Sequence, residues 1–326
     1  MFSYLVRRLL LSVITLLAIT FIVYGLIRSM PGTPLTMDMA TADPSKMLSP
    51  ADIKRLERDF GLDKPWYEAY FYWLGEVVQG NLGRSFAQKV PVAKLIGERV
   101  GPTLLLSVSS LLLTYILAVP MGLYATMRSG KADERTLSTI LYMLYSFPSF
   151  VAALLLQILF FQKLGWLPLY GLHSDGYESL SALGKLKDVF EHALMPVICF
   201  TYGSLAYYSR FVYSNLQEVI RQDYVRTATA KGLGPKTVLV KHAFRNTLVP
   251  FVTLIGLTLP SLLSGAVIIE RIFQWPGMGQ LYFEALNARD YTIVMGLTLI
   301  FAFLTLLGQL LADLLYAVVD PRVRVS

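Results

Sequence analysis

The residues of this chain whose types and spacing point to a task lie in a short basic segment, 223–234, between two long apolar stretches. It is rich in small residues and ends in Gly232 and Gly234, a pattern typical of a short helix that stops at a tight turn. Such an element suits binding rather than catalysis, because a small-faced helix edged by Arg226 and Lys231 can enter a groove of a soluble partner. Cytosolic loops of membrane proteins are also commonly basic. The pattern alone leaves a docking element and an ordinary loop both open.

Groups for catalysis or metal binding do not assemble elsewhere in the sequence. His173, His192 and His242 fall in predicted loops or at the end of an apolar stretch, so no catalytic triad or metal cluster is indicated. The single cysteine, Cys199, lies inside an apolar stretch and is interpreted as a small core residue. The segment 232–237 resembles a phosphate-binding loop only superficially, because a proline interrupts its glycine-lysine pair and no strand precedes it. We predict that the chain is not an enzyme and binds neither ATP nor any other cofactor itself.

Six apolar stretches supply the elements that must position these residues. The chain is 55% hydrophobic and 16% charged, whereas soluble domains have roughly 45–50% apolar and 25% charged residues. A helix needs about 20 mostly apolar residues to cross a membrane, and continuous apolar runs fit helices rather than a barrel. The sequence predicts an all-α membrane protein with six transmembrane helices, at 9–27, 100–127, 136–162, 192–209, 246–269 and 291–319.

The distribution of lysine and arginine predicts which loops face the cytosol. The N-terminal residues, the turn after residue 127, the loop 210–246 and the C-terminal tail together carry a clear excess of basic over acidic side chains. These segments share one side if the chain crosses six times, so both termini are predicted to be cytosolic in a bacterial-type inner membrane. Anionic membrane lipid then accounts for the formal net charge of +7, and no nucleic acid partner is required.

The chain shows no internal repeat and no low-complexity tract, which predicts a single domain, 1–326. Two elaborations belong to it, an extracytoplasmic segment 28–99 and the cytosolic loop 210–246. The extracytoplasmic segment is predicted to hold a short amphipathic helix over 49–61 and an aromatic helix that begins at Pro65. The rings of the second helix suit a membrane surface, but they could equally pack on the bundle or on an outside partner. They are Trp66, Tyr67, Tyr70, Phe71, Tyr72 and Trp73.

Prolines within the predicted spans mark candidates for a translocation path, because a proline kinks its helix and opens space between helices. Hydroxyls accompany two of these prolines near the predicted middle of the bilayer. The alternative is that the hydroxyls merely bond carbonyls that proline leaves free. The candidates are Ser146, Pro148, Ser149, Pro260 and Ser261.

One charged side chain, Asp313, falls inside a predicted span, close to its cytosolic end. Pairing with a neighbouring helix is its simplest role. A carrier driven by protons or sodium would be expected to show more buried carboxylates or a repeat of its helices. The sequence therefore gives an ion-coupled secondary transporter little support, although that class stays the alternative.

The fourth span is predicted to continue into the cytosol as a helix up to residue 222, where the basic segment begins. A second helix over 224–231 would end at Gly232 in the left-handed conformation, and Pro235 would start a third. This arrangement resembles the coupling loop of ABC-importer permeases, whose signature is Glu-Ala-Ala, three residues, then Gly. Arg226, Thr227, Ala228 and Gly232 stand at those places. The strings 223–228 and 230–233 are similar to the variant found in dipeptide, oligopeptide and nickel permeases, and further matching strings lie at 31–34, 61–65, 242–246, 275–279, 289–291, 313–316 and 320–322.

The resemblance implies the first permease subunit of a peptide-type system, with the type I ABC importer bundle and an extracytoplasmic helical loop. It implies a second permease subunit in a heterodimer, two ABC ATPase subunits that bind ATP and Mg, and an extracytoplasmic solute-binding protein. The solute would be a di- or oligopeptide, a nickel complex, a haem or another small molecule. The residues expected to couple to the ATPase are Asp223, Tyr224, Arg226, Thr227, Ala228, Lys231 and Gly232. An ion-coupled transporter acting alone and, more distantly, a membrane-embedded hydrolase are the alternatives from other classes.

Overall fold

The computed structural model describes residues 2–30, 63–247, 254, 258 and 267–319. Regular structure in these ranges is helical, apart from one bridge between Arg84 and Pro91. Two of the α-helices, α5 and α8, continue as π-helical turns, Gln157–Lys163 and Val238–Phe244 respectively. The α-helices are α1 Phe2–Ser29, α2 Trp66–Val78, α3 Val92–Met127, α4 Ala132–Ser146, α5 Ser149–Leu156, α6 Ala182–Val219, α7 Asp223–Ala230, α8 Pro235–Thr237, α9 Val267–Ile272, α10 Met278–Asn287 and α11 Tyr291–Val319. The predicted all-α class is confirmed.

Four helices, α1, α3, α6 and α11, are each long and apolar enough to cross a membrane. Helices α4 and α5 pass the same test only as a pair, and the chain bends by 92° between them. Most of the fifth predicted span, 246–269, and all of the predicted helix 49–61 lie outside the described residues. The structure agrees with a multi-span helical bundle, and the count of six spans stays a prediction.

The third predicted span, 136–162, is not one continuous helix. Helix α4 ends at Ser146 and α5 begins at Ser149, with extended backbone at Phe147 and Pro148. Pro148 has no N–H to donate to the preceding turn, and its ring disfavours the helical conformation at Phe147. Phe147 accordingly has φ −82° and ψ 125°. The sequence predicted a kink here, and the correction is that the proline separates two helices.

Helices α3 and α6 form the most extensive helix pair among the described elements. Gly122 of α3 permits their close approach, because a Cβ at this position would lie 2.5 Å from the Cβ of Val212 and 2.9 Å from the carbonyl oxygen of Ser209. Helices α4 and α5 pack on α6, whereas α11 packs on α1, α3 and α10. The α3–α6 pair is therefore the central support of the bundle.

Helix α6 is longer at both ends than the fourth predicted span, 192–209. It begins at Ala182, where the hydroxyl of Ser181 accepts a hydrogen bond from the N–H of Gly184 at 3.2 Å. His192, which the sequence placed at the end of a span, is therefore buried inside the helix, with its Nδ1 2.8 Å from the carbonyl oxygen of Asp188. The predicted extension of the helix beyond residue 212 is confirmed, since α6 continues to Val219.

The aromatic helix α2 packs on the bundle through one face. Tyr70 is buried beside Tyr24 of α1, and its hydroxyl lies 3.0 Å from the hydroxyl of Thr20. On the other side of α2, Phe71 and Tyr72 are exposed. Of the two sequence-based alternatives, packing on the bundle is thus correct for one face, and the second face is open to lipid or to a partner.

Candidate functional site

The basic segment forms a knob that consists of α7, the turn 231–234 and α8 with its π-helical continuation. Val225 and Ala228, three residues apart on α7, turn their side chains inward and are buried. They belong to a cluster that also contains residues of α6 and of the segment after α8, and Tyr115, Val119 and Leu123 of α3 border it. The buried members are Val212, Leu216, Val225, Ala228, Val238, Leu239 and Ala243. The knob is therefore fixed to the α3–α6 pair by apolar packing.

Helix α7 ends in the left-handed turn that the sequence predicts. Gly232 has φ +78°, a conformation that costs a residue with a Cβ roughly 1–2 kcal/mol. Its N–H donates to the carbonyl oxygen of Thr229 at 3.0 Å. A Cβ on Gly232 would meet no atom within 4 Å, so the backbone conformation rather than lack of space requires glycine within this chain. Pro235 then begins α8 after Gly234, which confirms the predicted order of helix, glycine corner and helix.

The outward face of the knob is polar. Among the predicted coupling residues, Ala228 is buried, whereas Asp223, Tyr224, Arg226, Thr227, Lys231 and Gly232 are exposed. Arg226 Nη1 lies 3.5 Å from Asp223 Oδ1, with 73% and 97% of the two side chains exposed. An ion pair this exposed contributes little to stability. The structure therefore exposes six of the seven predicted residues on the outward side of the knob, and the stability of the isolated chain does not explain the charges of that side.

Three of the five path candidates, Ser146, Pro148 and Ser149, lie at the break between α4 and α5 and are exposed. The hydroxyl of Tyr202 on α6 donates to the carbonyl oxygen of Phe147 at 3.0 Å, which ties the break to α6. An open cleft runs beside the break and is lined by Thr139, Tyr142, Met143, Ser146 and Phe147.

The other two path candidates belong to the fifth predicted span. Pro260, Ser261 and the side chain of Asp313 lie outside the described residues. The structure thus brings three path candidates together at a break beside a cleft, and their part in a path stays a prediction.

A buried carboxylate that the sequence analysis missed lies at the other end of α3. Glu270 of α9 is fully buried, and its Oε2 accepts a hydrogen bond from the N–H of Gln280 at 2.9 Å. Its Oε1 accepts one from the hydroxyl of Thr103 at 3.2 Å, and that hydroxyl accepts one from the N–H of Met278 at 2.8 Å. A Cβ on Gly277 would collide with the carboxylate. One side chain thus joins α9, α3 and the first turn of α10, where negative charge is favourable.

A second buried carboxylate precedes α11. Asp290 accepts hydrogen bonds from the hydroxyl of Ser85 at 2.6 Å and from the N–H of Ala87 at 3.0 Å through Oδ2. Its Oδ1 accepts one from the N–H of Ile293 at 3.3 Å, so Asp290 caps α11 while it holds the segment 83–91. Glu270 and Asp290, here called the far-end carboxylates, flank α10 on its two sides. An aspartate before an apolar run is a capping signal that could have identified Asp290; Glu270 has no comparable local signal.

Two family profiles match the chain. The profile described as "Binding-protein-dependent transport system inner membrane component" matches residues 118–325. The profile of the N-terminal part of such membrane components matches residues 1–109.

Three named relatives match over nearly their whole length. The chain is 36% identical over 324 residues to the oligopeptide transport system permease protein AppB of Bacillus subtilis, with 99% of each chain covered. It is 35% identical over 337 residues to the di/tripeptide transport system permease protein DppB of Pseudomonas aeruginosa, again with 99% of each covered. It is 31% identical over 324 residues to the glutathione transport system permease protein GsiC of Escherichia coli K12, also with 99% of each covered.

A solved structure of the MetNI methionine ABC transporter in an inward-facing conformation is similar in fold. The TM-score is 0.52 at 18% sequence identity, and the match covers 70% of this chain and 97% of that chain. At this level of identity the likeness concerns the fold and not the solute.

Proposed function

The chain belongs to the family of binding-protein-dependent transport system inner membrane components and has the type I ABC permease fold, and from this premise we propose that it docks an ATPase through the knob. As a family member it is a multi-pass inner-membrane transport subunit of a peptide ABC importer rather than an enzyme. The finer function is that of one permease in an ATP-driven importer, in which it forms half of the translocation path.

The construction of the knob is the single observation that carries the docking proposal. Its inward face is apolar and packed, whereas its outward face carries Asp223, Arg226 and Lys231 with exposed side chains. A helix of only eight residues is marginal by itself in water, so the packing against α3 and α6 is what holds it in shape. An ordered, exposed and charged helix at the end of a bundle suits a groove on a soluble partner.

The connection from the knob to the bundle supports a mechanical role. The cluster under α7 includes side chains of α6 and borders α3, and these two helices touch closely at Gly122 and Val212. A displacement of the knob would therefore move the α3–α6 pair as a unit. We infer that closure of two partner ATPases, which would bind ATP and Mg, rocks this pair and alternates access to the path.

Peptides are the solute class that this proposal adopts. The named relatives are an oligopeptide, a di/tripeptide and a glutathione permease, and each of those solutes is a peptide. A second permease would complete the path as the other half of a heterodimer, and an extracytoplasmic binding protein would deliver the peptide.

The knob must face the cytosol for this function, and the proposed orientation can be tested separately. Single cysteines at Ser129, beside the knob end of α3, and Ser174, before α6, are compared after Cys199→Ala removes the buried native thiol. An impermeant maleimide on intact cells should label the Ser174→Cys variant alone. Labelling of the Ser129→Cys variant in intact cells would reverse the orientation.

Reconstitution into proteoliposomes tests the function itself. The complete complex, with its binding protein outside and ATP inside, should accumulate a radiolabelled tripeptide, and omission of ATP should abolish uptake. The isolated chain should accumulate none under a proton or sodium gradient. Gradient-driven accumulation by the isolated chain would instead establish the secondary-transporter alternative.

A further inference from the structure

A groove between α4 and α6 holds an arginine in unusual surroundings. The groove encloses about 340 Å³ and is lined by Tyr142, Tyr145, Tyr207, Arg210 and Ser214, among others. This volume lies within the range of roughly 300–1,000 Å³ that is typical of small-molecule sites. Tyr142 also lines the cleft beside the break between α4 and α5, so the groove continues the surface that contains the path candidates.

Arg210 lies between aromatic rings rather than beside a carboxylate. Its guanidinium carbon is 4.8 Å from the ring centre of Tyr213 and 6.0 Å from that of Tyr142. The hydroxyl of Tyr213 lies 3.0 Å from the hydroxyl of Ser129, which fixes the nearer ring. Contact with ring faces attracts a cation but leaves its charge uncompensated.

Two other arginines at the same end of the bundle have a carboxylate partner. Arg128 bonds to Asp133, and Arg226 lies beside Asp223. Within the residues that the structure describes, no carboxylate forms an ion pair with Arg210. A half-buried guanidinium with its N–H donors unmatched by a local anion is the group that proteins use to bind a carboxylate with two parallel hydrogen bonds.

We propose that this groove binds the terminal carboxylate of the transported peptide, with Arg210 as its anchor and the surrounding tyrosine rings in contact with the adjoining residues. The inference rests on the proposed function and specifies a site for its solute. Rings beside a guanidinium suit peptides of varied sequence, because every free peptide has a terminal carboxylate while its side chains differ. The site lies at the end of α6 that carries the knob, so it belongs to the last part of the path.

Photolabelling of the assembled transporter tests the site directly. The probes are a tripeptide with a central benzophenone side chain, as the free acid and as its C-terminal amide. The complex is placed in nanodiscs of phosphatidylcholine without binding protein. After illumination, the permease is digested, and the fragments that carry the probe are identified by mass spectrometry. We expect the free acid to label residues of the groove at least about tenfold more than the amide, because hydrogen bonds between charged groups are strong.

Three variants test whether the preference for the free acid depends on Arg210. Arg210→Gln should reduce labelling by the free acid to the level of the amide, and Arg210→Lys should retain part of it. Arg135→Gln, which changes an exposed arginine of α4 outside the groove, should leave labelling unchanged. Equal labelling by acid and amide, absence of labelling in the groove, or an unaffected Arg210→Gln variant would each overturn the proposal.

Two further measurements test other roles for Arg210, namely binding of an anionic lipid and contact with the second permease. If phosphatidylglycerol in the nanodisc displaced the free acid from the unmodified complex, Arg210 would be a lipid site. If Arg210→Gln released the second permease during copurification, Arg210 would serve the subunit contact. Either result would overturn the peptide site. ATP-driven tripeptide uptake by the unmodified complex is measured in parallel, so that failure of the proposed function is distinguished from failure of this site.

Discussion

The charged residues near the two ends of α3 differ in their exposure to solvent. At the knob end, Asp223 and Arg226 are exposed and the apolar side of α7 is packed against the bundle. At the other end, Glu270 and Asp290 are buried and bonded to backbone N–H groups and hydroxyls. Thr103 and Leu123, which mark the two contacts on α3, are about 30 Å apart at 1.5 Å per residue.

This difference indicates separate tasks. An exposed ion pair contributes about 0–1 kcal/mol, so the charges of the knob are available to a partner at little expense to the fold. A buried donor that loses its acceptor costs about 1–3 kcal/mol, so the far-end carboxylates determine the geometry of α9, α10 and α11. Changes at the far end should affect folding, whereas changes on the knob should affect coupling in a folded chain.

Replacement of Glu270 should give the largest effect. Glu270→Ala leaves the N–H of Gln280 and the hydroxyl of Thr103 without their buried acceptor and opens a cavity between helices. We expect a loss of about 3–5 kcal/mol, measured as a lower thermal midpoint of the detergent-solubilised chain and a smaller amount in the membrane.

A matched control lies on α10. Glu284 is partly exposed, and its Oε1 accepts from the side-chain Nε2 of Gln280 at 2.8 Å. Glu284→Ala should cost only about 0.5–1.5 kcal/mol, the usual contribution of one hydrogen bond, because Glu284 is partly exposed and its removal opens no buried cavity. Equal losses for the two glutamate variants would remove the distinction between buried and exposed charge on which the comparison rests.

The contact at Gly122 should give an intermediate effect, because it joins the two helices that support the knob. Gly122→Ala places a Cβ 2.5 Å from the Cβ of Val212 and should destabilise the chain by about 1–3 kcal/mol. Val212→Ala in the same chain removes the Cγ1 that would lie 2.7 Å away but keeps the facing Cβ, so it should recover only a small part of the loss. Gly203→Ala on α6, where a Cβ meets no atom within 4 Å, should be neutral or slightly stabilising.

If Gly122→Ala left both the thermal midpoint and peptide uptake unchanged, the α3–α6 pair could not be the rigid connection that we describe. If Gly122→Ala lowered peptide uptake but left the thermal midpoint nearly unchanged, the result would sharpen the comparison. It would show that the α3–α6 contact passes movement from the knob to the bundle and is not needed only for folding.

The elements that could be predicted from sequence are those with local signals. Small residues before Gly232 and a proline after it predict a helix, a left-handed turn and another helix, and all three are present. The predicted disturbance at Pro148 is also real, although its extent was underestimated because periodicity does not give a bend angle. Continuous apolar runs identified the four long apolar helices α1, α3, α6 and α11 but not their polar extensions, which is why α6 begins earlier than predicted.

The far-end contacts could not be predicted because their partners are distant in sequence. Glu270 and Thr103 are 167 residues apart, and Asp290 and Ser85 are 205 apart. No periodicity relates such positions, and a single glutamate after an apolar run resembles any helix end. The surroundings of Arg210 could not be predicted for the same reason, because one of its two tyrosine neighbours comes from α4 and the other from α6. From sequence alone, Arg210 was only one of the basic residues of the inner loops.

Replacement of Gly232 should have the smallest effect on stability and a specific effect on coupling. Gly232→Val imposes a β-branched residue on φ +78°, whereas Gly234→Val is a matched control because Gly234 has φ −63° and similar open space. We expect Gly232→Val to keep the thermal midpoint within the range of the control but to weaken ATPase association about tenfold, since the strained turn must rearrange by roughly 1–2 kcal/mol. Equal association of both valine variants would show that the left-handed corner is not needed for docking.

Cross-linking from the outward face of the knob tests the central claim most directly. In a chain with Cys199→Ala, a maleimide-benzophenone is attached to a cysteine that replaces Arg226 on the knob or Ser174 before α6, and the assembled complex is illuminated. The account predicts cross-links to the ATPase subunits from position 226, none from position 174, and loss of the former in Gly232→Val. An assembled complex that gives no ATPase cross-link from position 226, or gives as much from position 174, would contradict the assignment of the knob as the docking element.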